Sequence, residues 1–155
     1  MKEGKAFHIS QKEVLNAYKA VKANTGAGGI DGIELEEFDK EWKNRLYVLW
    51  NRMSSGSYYS KPVRGVEIPK KNKKKRLLGI PTIEDRVAQM VLRNRLEPLV
   101  EPIFLDDSYG YRPNKSALDA IEMARSRCFK MKWVIEFDIV GLFDNISHEK
   151  LLELV

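Results

Sequence analysis

The 155-residue sequence predicts an α+β fold, and three patterns lead to that class. Apolar residues recur at three- and four-residue steps behind Ser or Thr, which is typical of capped amphipathic helices. Two short β-type segments flank a run of lysines and predict a hairpin over residues 63–81. Residues 133–139 are rich in β-branched and aromatic side chains and predict a further strand.

The composition favours a globular protein with an acidic partner. Lysine and arginine number 27 against 22 aspartate and glutamate, a formal charge of +5, and positive charge that clusters indicates phosphate recognition. The single cysteine, Cys128, excludes an internal disulfide, and no apolar leader precedes Ser10, so we expect an intracellular protein without a membrane span. Because the sequence stops within an apparent amphipathic helix at 151–155, we expect a fragment of a longer protein.

Two helices are predicted before the hairpin. Ser10 with Glu13 forms a capping-box signature, and the helical pattern that follows ends at residues 24–26. The second helix carries a stripe of large apolar residues and ends at residues 54–56. Because such a stripe is typical of a core-facing helix, we assign these side chains to the core: Phe38, Trp42, Leu46, Leu49, Trp50 and Met53.

A glycine-rich segment, residues 25–32, separates these two helices. Its glycines predict a loop with positive φ angles, and it lacks the Gly-Lys-Ser/Thr ending of a nucleotide-binding P-loop. Close approach of this loop to another backbone, including a nucleic-acid strand, remains an open alternative.

The hairpin carries the strongest charge cluster of the chain. Six of the seven residues from Lys70 to Arg76 are basic, and two strands would hold them away from the body of the protein. Lysine supplies mobile point charges, and Arg76 offers a planar group that grips two phosphate oxygens. The alternatives are a solvated turn or a localisation signal.

Two further helices carry cap signatures. Thr82 precedes Asp85 by three residues, and Ser116 precedes Asp119 by the same spacing. The apolar side of the second helix includes Cys128, which we therefore expect to be a buried and inert thiol.

Between these helices, residues 106–113 combine turn formers with aromatic side chains. Tyr109, Tyr111 and Arg112 have the chemistry to stack on bases or riboses. The alternative is that they fix the turn to the core.

The predicted strand 133–139 ends near an acidic residue, Asp138. Gly141 permits a bend, and Ser147 with Glu149 predicts the start of a helix. A strand that ends on an aspartate before a turn and a helix is a common way to hold a metal-binding carboxylate. The alternative is an aspartate that caps a turn.

The order of these segments resembles the first motifs of polymerases of the reverse-transcriptase kind. More closely, the chain is similar to the amino-terminal part of the reverse transcriptase/maturase proteins encoded by bacterial group II introns. The resemblance begins near Val14 and depends on the glycine loop and on three further segments, Arg-Leu-Leu-Gly-Ile-Pro-Thr-Ile-Glu-Asp-Arg, Ser-Tyr-Gly-Tyr-Arg-Pro-Asn-Lys-Ser-Ala and Phe-Asp-Ile-Val-Gly-Leu-Phe-Asp-Asn-Ile.

This resemblance implies a partial right-hand polymerase fold. Residues 1–81 would form helical fingers with the basic β-hairpin 63–81, and residues 82–155 the fingers/palm junction with the first palm strand, 133–139. The implied activity is RNA-directed DNA synthesis in the bacterial cytoplasm with two Mg²⁺ ions. The implied partners are group II intron RNA, an RNA template with a DNA primer, and a deoxynucleoside triphosphate (dNTP).

The resemblance also implies roles for particular residues. Asp138 matches the first metal-binding aspartate, and the backbone carbonyl of Ile139 would help to hold the second ion. Phe143 matches the aromatic residue under the sugar of the incoming nucleotide, whereas Lys70 and Arg76 match fingertip residues that bind its triphosphate. We expect Asp138 and the fingertip to face a common cleft. Asp144, by contrast, is expected to hold the turn together. The candidate RNA-binding cations are Arg64, Lys71, Lys73, Lys74, Lys75 and Arg112.

The chain departs from the family pattern in one respect, since it contains no Tyr-x-Asp-Asp segment to complete the metal site. We therefore expect that this chain alone does not polymerise and that its apolar end self-associates, as a dimer or larger species. The alternative function is an RNA-binding maturase module that assists intron folding and splicing. Retron and diversity-generating reverse transcriptases share the Asp138 segment but match the rest less well, and a basic globular domain without catalytic descent is the remaining interpretation.

Overall fold

The computed structural model describes residues 6–69 and 75–154, and of Asp144 it describes only the backbone. The chain divides into two compact units, Met1–Ile103 and Phe104–Val155. The helix that follows residue 82 packs against the first helix of the chain and so belongs to the first unit, and the predicted division into fingers and palm stays a prediction. No helix of the described ranges combines the length and the apolar character that a membrane crossing requires.

The first unit is built from helices that begin and end at recognisable signals. They are α1 (Gln11–Ala23), α2 (Leu35–Lys40), α3 (Trp42–Ser55), α4 (Ile83–Val100) and a 3₁₀ turn at Glu101–Ile103. The Ser10 hydroxyl accepts a hydrogen bond from the Glu13 amide, and the Glu13 carboxylate accepts one from the Ser10 amide, which confirms the predicted capping box.

The second predicted helix is divided in two, which corrects the prediction of one continuous helix from Phe38 to Met53. Glu41 has φ −125° and ψ 18°, and it both ends α2 and precedes α3. The predicted end is confirmed, because Gly56 follows α3 with a positive φ of 76°.

The core of the first unit lies where α1, α2, α3 and α4 meet. Tyr18 of α1 packs against Phe38 and stacks on Trp42, with ring centroids 5.5 and 5.9 Å apart. The predicted aromatic and aliphatic stripe therefore does belong to the core, partly or fully buried. The fully buried apolar side chains are Val14, Ala17, Tyr18, Val21, Phe38, Leu46, Leu49, Ile83, Val87, Ala88 and Val91.

The predicted hairpin is confirmed. Strands β1 (Arg64–Pro69) and β2 (Lys75–Ile80) pair antiparallel, with Arg64 opposite Ile80 and Pro69 opposite Lys75. The predicted phosphate-binding residues at positions 70–74 lie between the paired ends and outside the described residues.

The second unit contains α5 (Ala117–Cys128), the single turn α6 (Leu142–Asn145) and α7 (His148–Leu154). Ser116 and Asp119 form the predicted capping box of α5. The prediction that Cys128 is buried is wrong, because Cys128 is exposed. The reason is that no described residue of this unit is buried, so the apolar side of α5 has no core to face.

The strand predicted over residues 133–139 is also absent from the described chain, which corrects that prediction. Its backbone is irregular, and the sheet within the described ranges consists of β1 and β2 alone. A strand exists only where a neighbour pairs its amides and carbonyls, and β-propensity by itself supplies no such neighbour.

Candidate nucleic-acid interface

The hairpin places three predicted RNA- or phosphate-binding cations at different distances from its tip. Lys75 and Arg76 lie at the tip end of β2, whereas Arg64 begins β1 at the base. Arg76 is paired with Ile68, four residues along the strand from Arg64, so the two arginines share one face about 13 Å apart. The predicted set is therefore split between the tip and the base.

These cations differ in their surroundings. Arg76 is exposed, and Lys75 donates a hydrogen bond to the carboxylate of Glu67 within an ion pair. Arg64 is half-buried, and its Nε is buried without a hydrogen-bond partner among the described residues. Lys75 and Arg76 are thus both exposed at the tip end, and Lys75 is engaged with Glu67.

A buried carboxylate at the base of the hairpin was not foreseen as part of the site. Asp85 is 3% exposed and accepts hydrogen bonds from the backbone amide of Lys61 at 3.4 Å, from the Thr82 hydroxyl at 2.5 Å and from the Tyr58 hydroxyl. Burial, together with the hydrogen bond to Asp85, raises the pKa of the Tyr58 hydroxyl. The sequence signal of a Thr82 cap is confirmed, but spacing gives no sign that Tyr58 and Lys61 meet the same carboxylate.

The glycine-rich segment lies against this base. A Cβ on Gly29 would come within 2.6 Å of the Thr82 Cα and 2.7 Å of its amide nitrogen, so only glycine permits this approach. Arg86 donates hydrogen bonds to the carbonyls of Pro81 and Ala27. The close backbone approach that the glycines predict therefore occurs, and the neighbouring backbone belongs to this chain.

The turn before α5 is held by its own cations. Arg112 donates hydrogen bonds to the carbonyls of Leu105 and Ser108 at 2.6 and 2.9 Å, and its guanidinium lies 5.2 Å from the Phe104 ring centroid. Tyr111 is exposed with a positive φ of 57°. Arg112 thus holds the residues of this turn together and does not attach the turn to a core. Its predicted contact with RNA stays a prediction.

A second ion pair supports the same turn. Arg127 of α5 donates two hydrogen bonds to the carboxylate of Asp107, at 2.7 and 2.9 Å. These bonds hold the pKa of Asp107 below its usual value. Lys115 donates to the carbonyl of Asp106 and lies over the Tyr109 ring. The aromatic turn is therefore a local structure tied to α5.

The predicted metal and nucleotide residues of the second unit are accessible. Asp138, Ile139 and Phe143 are all exposed, and Phe143 lies on α6. Gly141 has φ 60° and precedes α6, which confirms the predicted bend. Asn145 donates a hydrogen bond to the Gly141 carbonyl at 2.9 Å and closes this turn, a role that the sequence did not indicate. The side chain of Asp144 lies outside the described residues, so its predicted role in the turn is untested.

The residues present do not make a complete magnesium site. Across residues 6–69 and 75–154, no group of three or more His, Cys, Asp or Glu side chains is placed to hold a metal ion. Mg²⁺ requires near-octahedral oxygen coordination, of which the Asp138 carboxylate and the Ile139 carbonyl would supply only a part. The second unit therefore offers one candidate ligand pair.

Comparisons with known proteins agree on the kind of chain this is. A model of the reverse transcriptase (RNA-dependent DNA polymerase) family matches residues 68–155, more than half of the chain. Group II intron-encoded protein LtrA of Lactococcus lactis subsp. cremoris is 38% identical over 140 residues, covering 90% of this chain and 23% of LtrA. Protein YkfC of Escherichia coli (strain K12) is 35% identical over 155 residues, covering 95% of this chain and 41% of YkfC.

A yeast relative extends the pattern. The putative COX1/OXI3 intron 1 protein of Saccharomyces cerevisiae is 31% identical over 137 residues, covering 88% of this chain and 16% of that protein. The chain thus spans less than half the length of each of these relatives. The family match includes β2 and the Phe-Asp segment that carries Asp138, and on this evidence the chain belongs to the reverse transcriptase family, as a relative of group II intron-encoded proteins.

Proposed function

We propose that this chain acts as part of an RNA-directed DNA polymerase of the group II intron type, a partial right-hand polymerase in which it supplies fingers and the start of the palm. Its partners are the RNA template with its DNA primer, group II intron RNA and the incoming dNTP. The family match and the two bacterial relatives support this proposal, and they favour action in the bacterial cytoplasm.

The observation that carries the proposal is the hairpin. An antiparallel pair of strands that begins at Arg64 and ends at Ile80 holds a strongly basic segment between its paired ends. Positive charge at the end of a protruding element suits a polyphosphate, because it meets the negative charge that builds up on the leaving pyrophosphate.

Individual roles follow from this chemistry. Lys70 and Arg76 bind the triphosphate, and Arg76 is exposed at the tip end of β2 as that role requires. Phe143 presents an exposed ring for the sugar of the nucleotide. Asp138 and the carbonyl of Ile139 are ligands for divalent ions, with Mg²⁺ as the expected metal. Magnesium titration of a polymerase that contains this segment should lose a binding event on Asp138→Ala.

The chain alone should not synthesise DNA. Nucleotidyl transfer requires two divalent ions about 3.5–4 Å apart, and Asp138 cannot hold both of them. A primer-extension assay on this chain should therefore give no product at any Mg²⁺ concentration. Magnesium-dependent extension by the purified chain would contradict this assignment of the metal ligands.

RNA binding, the second candidate function, is one that this chain can perform without a metal site. It is supported by the basic hairpin and by relatives named as intron-encoded proteins. The affinity for a single-stranded RNA should fall as salt rises, because each neutralised phosphate releases counterions. The slope of log K against log salt is negative, and replacing Lys73, Lys74 and Lys75 with Gln should reduce its magnitude by about 2.

A matched control separates the hairpin from overall charge. Replacing the exposed Lys12, Lys19 and Lys43 with Gln removes the same net charge from α1 and α3. This control should bind RNA nearly as the parent chain does. If both triple variants change the slope equally, the hairpin has no special role, and if neither does, the RNA-binding proposal fails.

A further inference from the structure

Both ends of the basic hairpin are bound to one buried carboxylate. Lys61, three residues before β1 begins, donates its backbone amide to both oxygens of Asp85 at 3.4 Å. Thr82, two residues after β2 ends, donates its hydroxyl to Asp85 at 2.5 Å. The two legs of the hairpin therefore meet on the same side chain.

The surroundings of this carboxylate make it a firm anchor. Asp85 is 3% exposed and Thr82 is fully buried, so water does not compete for their hydrogen bonds. The Thr82 hydroxyl also accepts a hydrogen bond from the Asp85 amide at 3.1 Å, which fixes the first turn of α4. Tyr58 donates its hydroxyl to the same carboxylate from the segment that leads into the hairpin.

The described strands of the hairpin are lightly packed beyond their base, where the glycine loop and Arg86 also contact Pro81 and Thr82. Residues of β2 from Lys75 to Gly79 are exposed, and β1 alternates between exposed and half-buried positions. Each strand is six residues long, about 20 Å, so a tilt of about 10° at the base moves the tip by roughly 3 Å. A displacement of this size is about as large as the donor–acceptor distance of a hydrogen bond, so it would break a hydrogen bond between the tip and a phosphate oxygen.

We propose that Asp85 is a positioning residue, whose buried carboxylate joins both legs of the hairpin and so sets the direction in which Lys75 and Arg76, at the tip end of β2, meet phosphate. This inference rests on the proposed function for its consequence, phosphate binding, but its mechanical part is testable on its own. Asp85 touches neither phosphate nor metal in this role and acts through the hairpin.

The mechanical test measures a distance from the hairpin to the helical core. The only cysteine of the chain, Cys128, is first replaced with Ser, and spin labels are attached to Leu77→Cys on β2 and Lys19→Cys on α1. Both sites are exposed, so the labels fit without repacking. Pulsed electron resonance then gives the width of the label-to-label distance distribution.

Three variants separate direction from stability. Asp85→Ala removes every bond that the carboxylate makes, whereas Asp85→Asn retains an oxygen for Lys61 but cannot accept from Thr82 on its NH₂ group. The matched control is Val87→Ala, which opens a cavity beside the core in the same helix and leaves the anchor intact. The width should increase most in Asp85→Ala, less in Asp85→Asn and not in Val87→Ala, although Val87→Ala also lowers the thermal midpoint.

An unchanged width in both Asp85 variants, or an equal increase in Val87→Ala, would overturn the proposal. If Asp85→Ala does not fold, two milder variants still test the proposal. Asp85→Asn loses the hydrogen bond from the Thr82 hydroxyl, and Tyr58→Phe loses the one from the Tyr58 hydroxyl. The affinity for a dNTP should fall on the order of tenfold in Asp85→Ala and stay near the parent value in Val87→Ala. If the distribution broadens while dNTP affinity is unchanged, Asp85 does not position the tip for phosphate; if the parent chain binds no dNTP, the proposed function fails and the distances still test the anchor.

Discussion

Glu13 illustrates how one side chain serves two elements. Its carboxylate caps α1 by accepting from the Ser10 amide at 2.7 Å, and it accepts from Arg95 Nε of α4 at 2.8 Å. The bond from Arg95, followed by those from Ser10, lowers the pKa of Glu13 to about 2. The charged form of Glu13 is therefore favoured in the folded state over the unfolded state, and folding is stabilised where the unfolded chain also carries that charge.

The pH dependence of this contribution has a definite sign. Because the folded-state pKa lies below the ordinary 4.5, the stabilisation is complete above about pH 4.5 and is lost as the pH falls toward about 2. Glu13→Gln should lower the free energy of unfolding by about 0.5–1 kcal/mol at neutral pH, as expected for a half-exposed cap and ion pair. Urea unfolding at stepped pH should show this difference shrinking below pH 4.5.

Glu122 provides the comparison for that experiment. It is an exposed residue in the interior of α5, away from the ends of that helix. Glu122→Gln should leave the unfolding of the first unit unchanged at every pH. A Glu13→Gln difference that stays constant down to pH 2 would contradict the role given to its charge.

Among the elements, the glycine loop and the hairpin base are closely fitted to one another. Gly29 does not have a positive φ, so its requirement for glycine is steric alone. Gly29→Ala should destabilise the first unit by about 1–3 kcal/mol, because the added methyl meets the Thr82 backbone, which cannot rotate away. Fluorescence of the core residues Trp42 and Trp50 during urea unfolding measures this loss.

Gly110 is the control for this substitution. A Cβ there meets nothing within 4 Å, and its φ is not positive. Gly110→Ala should change the free energy of unfolding by no more than about 0.5 kcal/mol. If Gly29→Ala is equally mild, the loop has room to shift and does not hold the hairpin base.

The elements also show which features a sequence can reveal. The caps of α1, α4 and α5, the end of α3 at Gly56 and the hairpin were predicted, because each depends on residues within a few positions of one another. The break at Glu41 was missed, since the apolar stripe continues through it.

Features that depend on distant partners were not predictable. Asp85 acquires its role from Tyr58 and Lys61, which no spacing rule connects to it. Cys128 follows a helical apolar pattern that predicts burial, yet burial needs a facing surface that the second unit does not supply. For the same reason residues 133–139 have strand propensity without forming a strand. The metal and nucleotide roles come from the family resemblance and stay predictions.

At the scale of the whole molecule, the two units differ in the burial of their apolar side chains. The first unit buries a core, whereas the second exposes Leu118, Ile121 and Phe129 along and just after α5. Exposed apolar surface of this kind favours association between copies. We therefore expect the 17.9 kDa chain to self-associate, with a sedimentation mass that rises with protein concentration.

The same residues provide the test of that expectation. Replacing Leu118 and Ile121 with Glu should shift the sedimentation profile toward the monomer, while Glu122→Gln on the same helix should not. A parent chain that sediments as a monomer over the whole accessible concentration range would show that this surface does not drive association.

The ion pair between Lys75 and Glu67 has a consequence for the hairpin as a whole. The glutamate oxygen occupies in advance the place that a phosphate oxygen would take at Lys75, so the strand carries its own competitor for the nucleic acid. Both partners are more than half exposed, so breaking this ion pair costs little free energy. Glu67→Gln should therefore tighten RNA binding by a few fold at low salt, and filter binding at two salt concentrations measures that gain. The net positive charge that the hairpin offers to RNA is thus smaller than its lysine count suggests. A smaller charge lowers the affinity and so favours release of bound RNA.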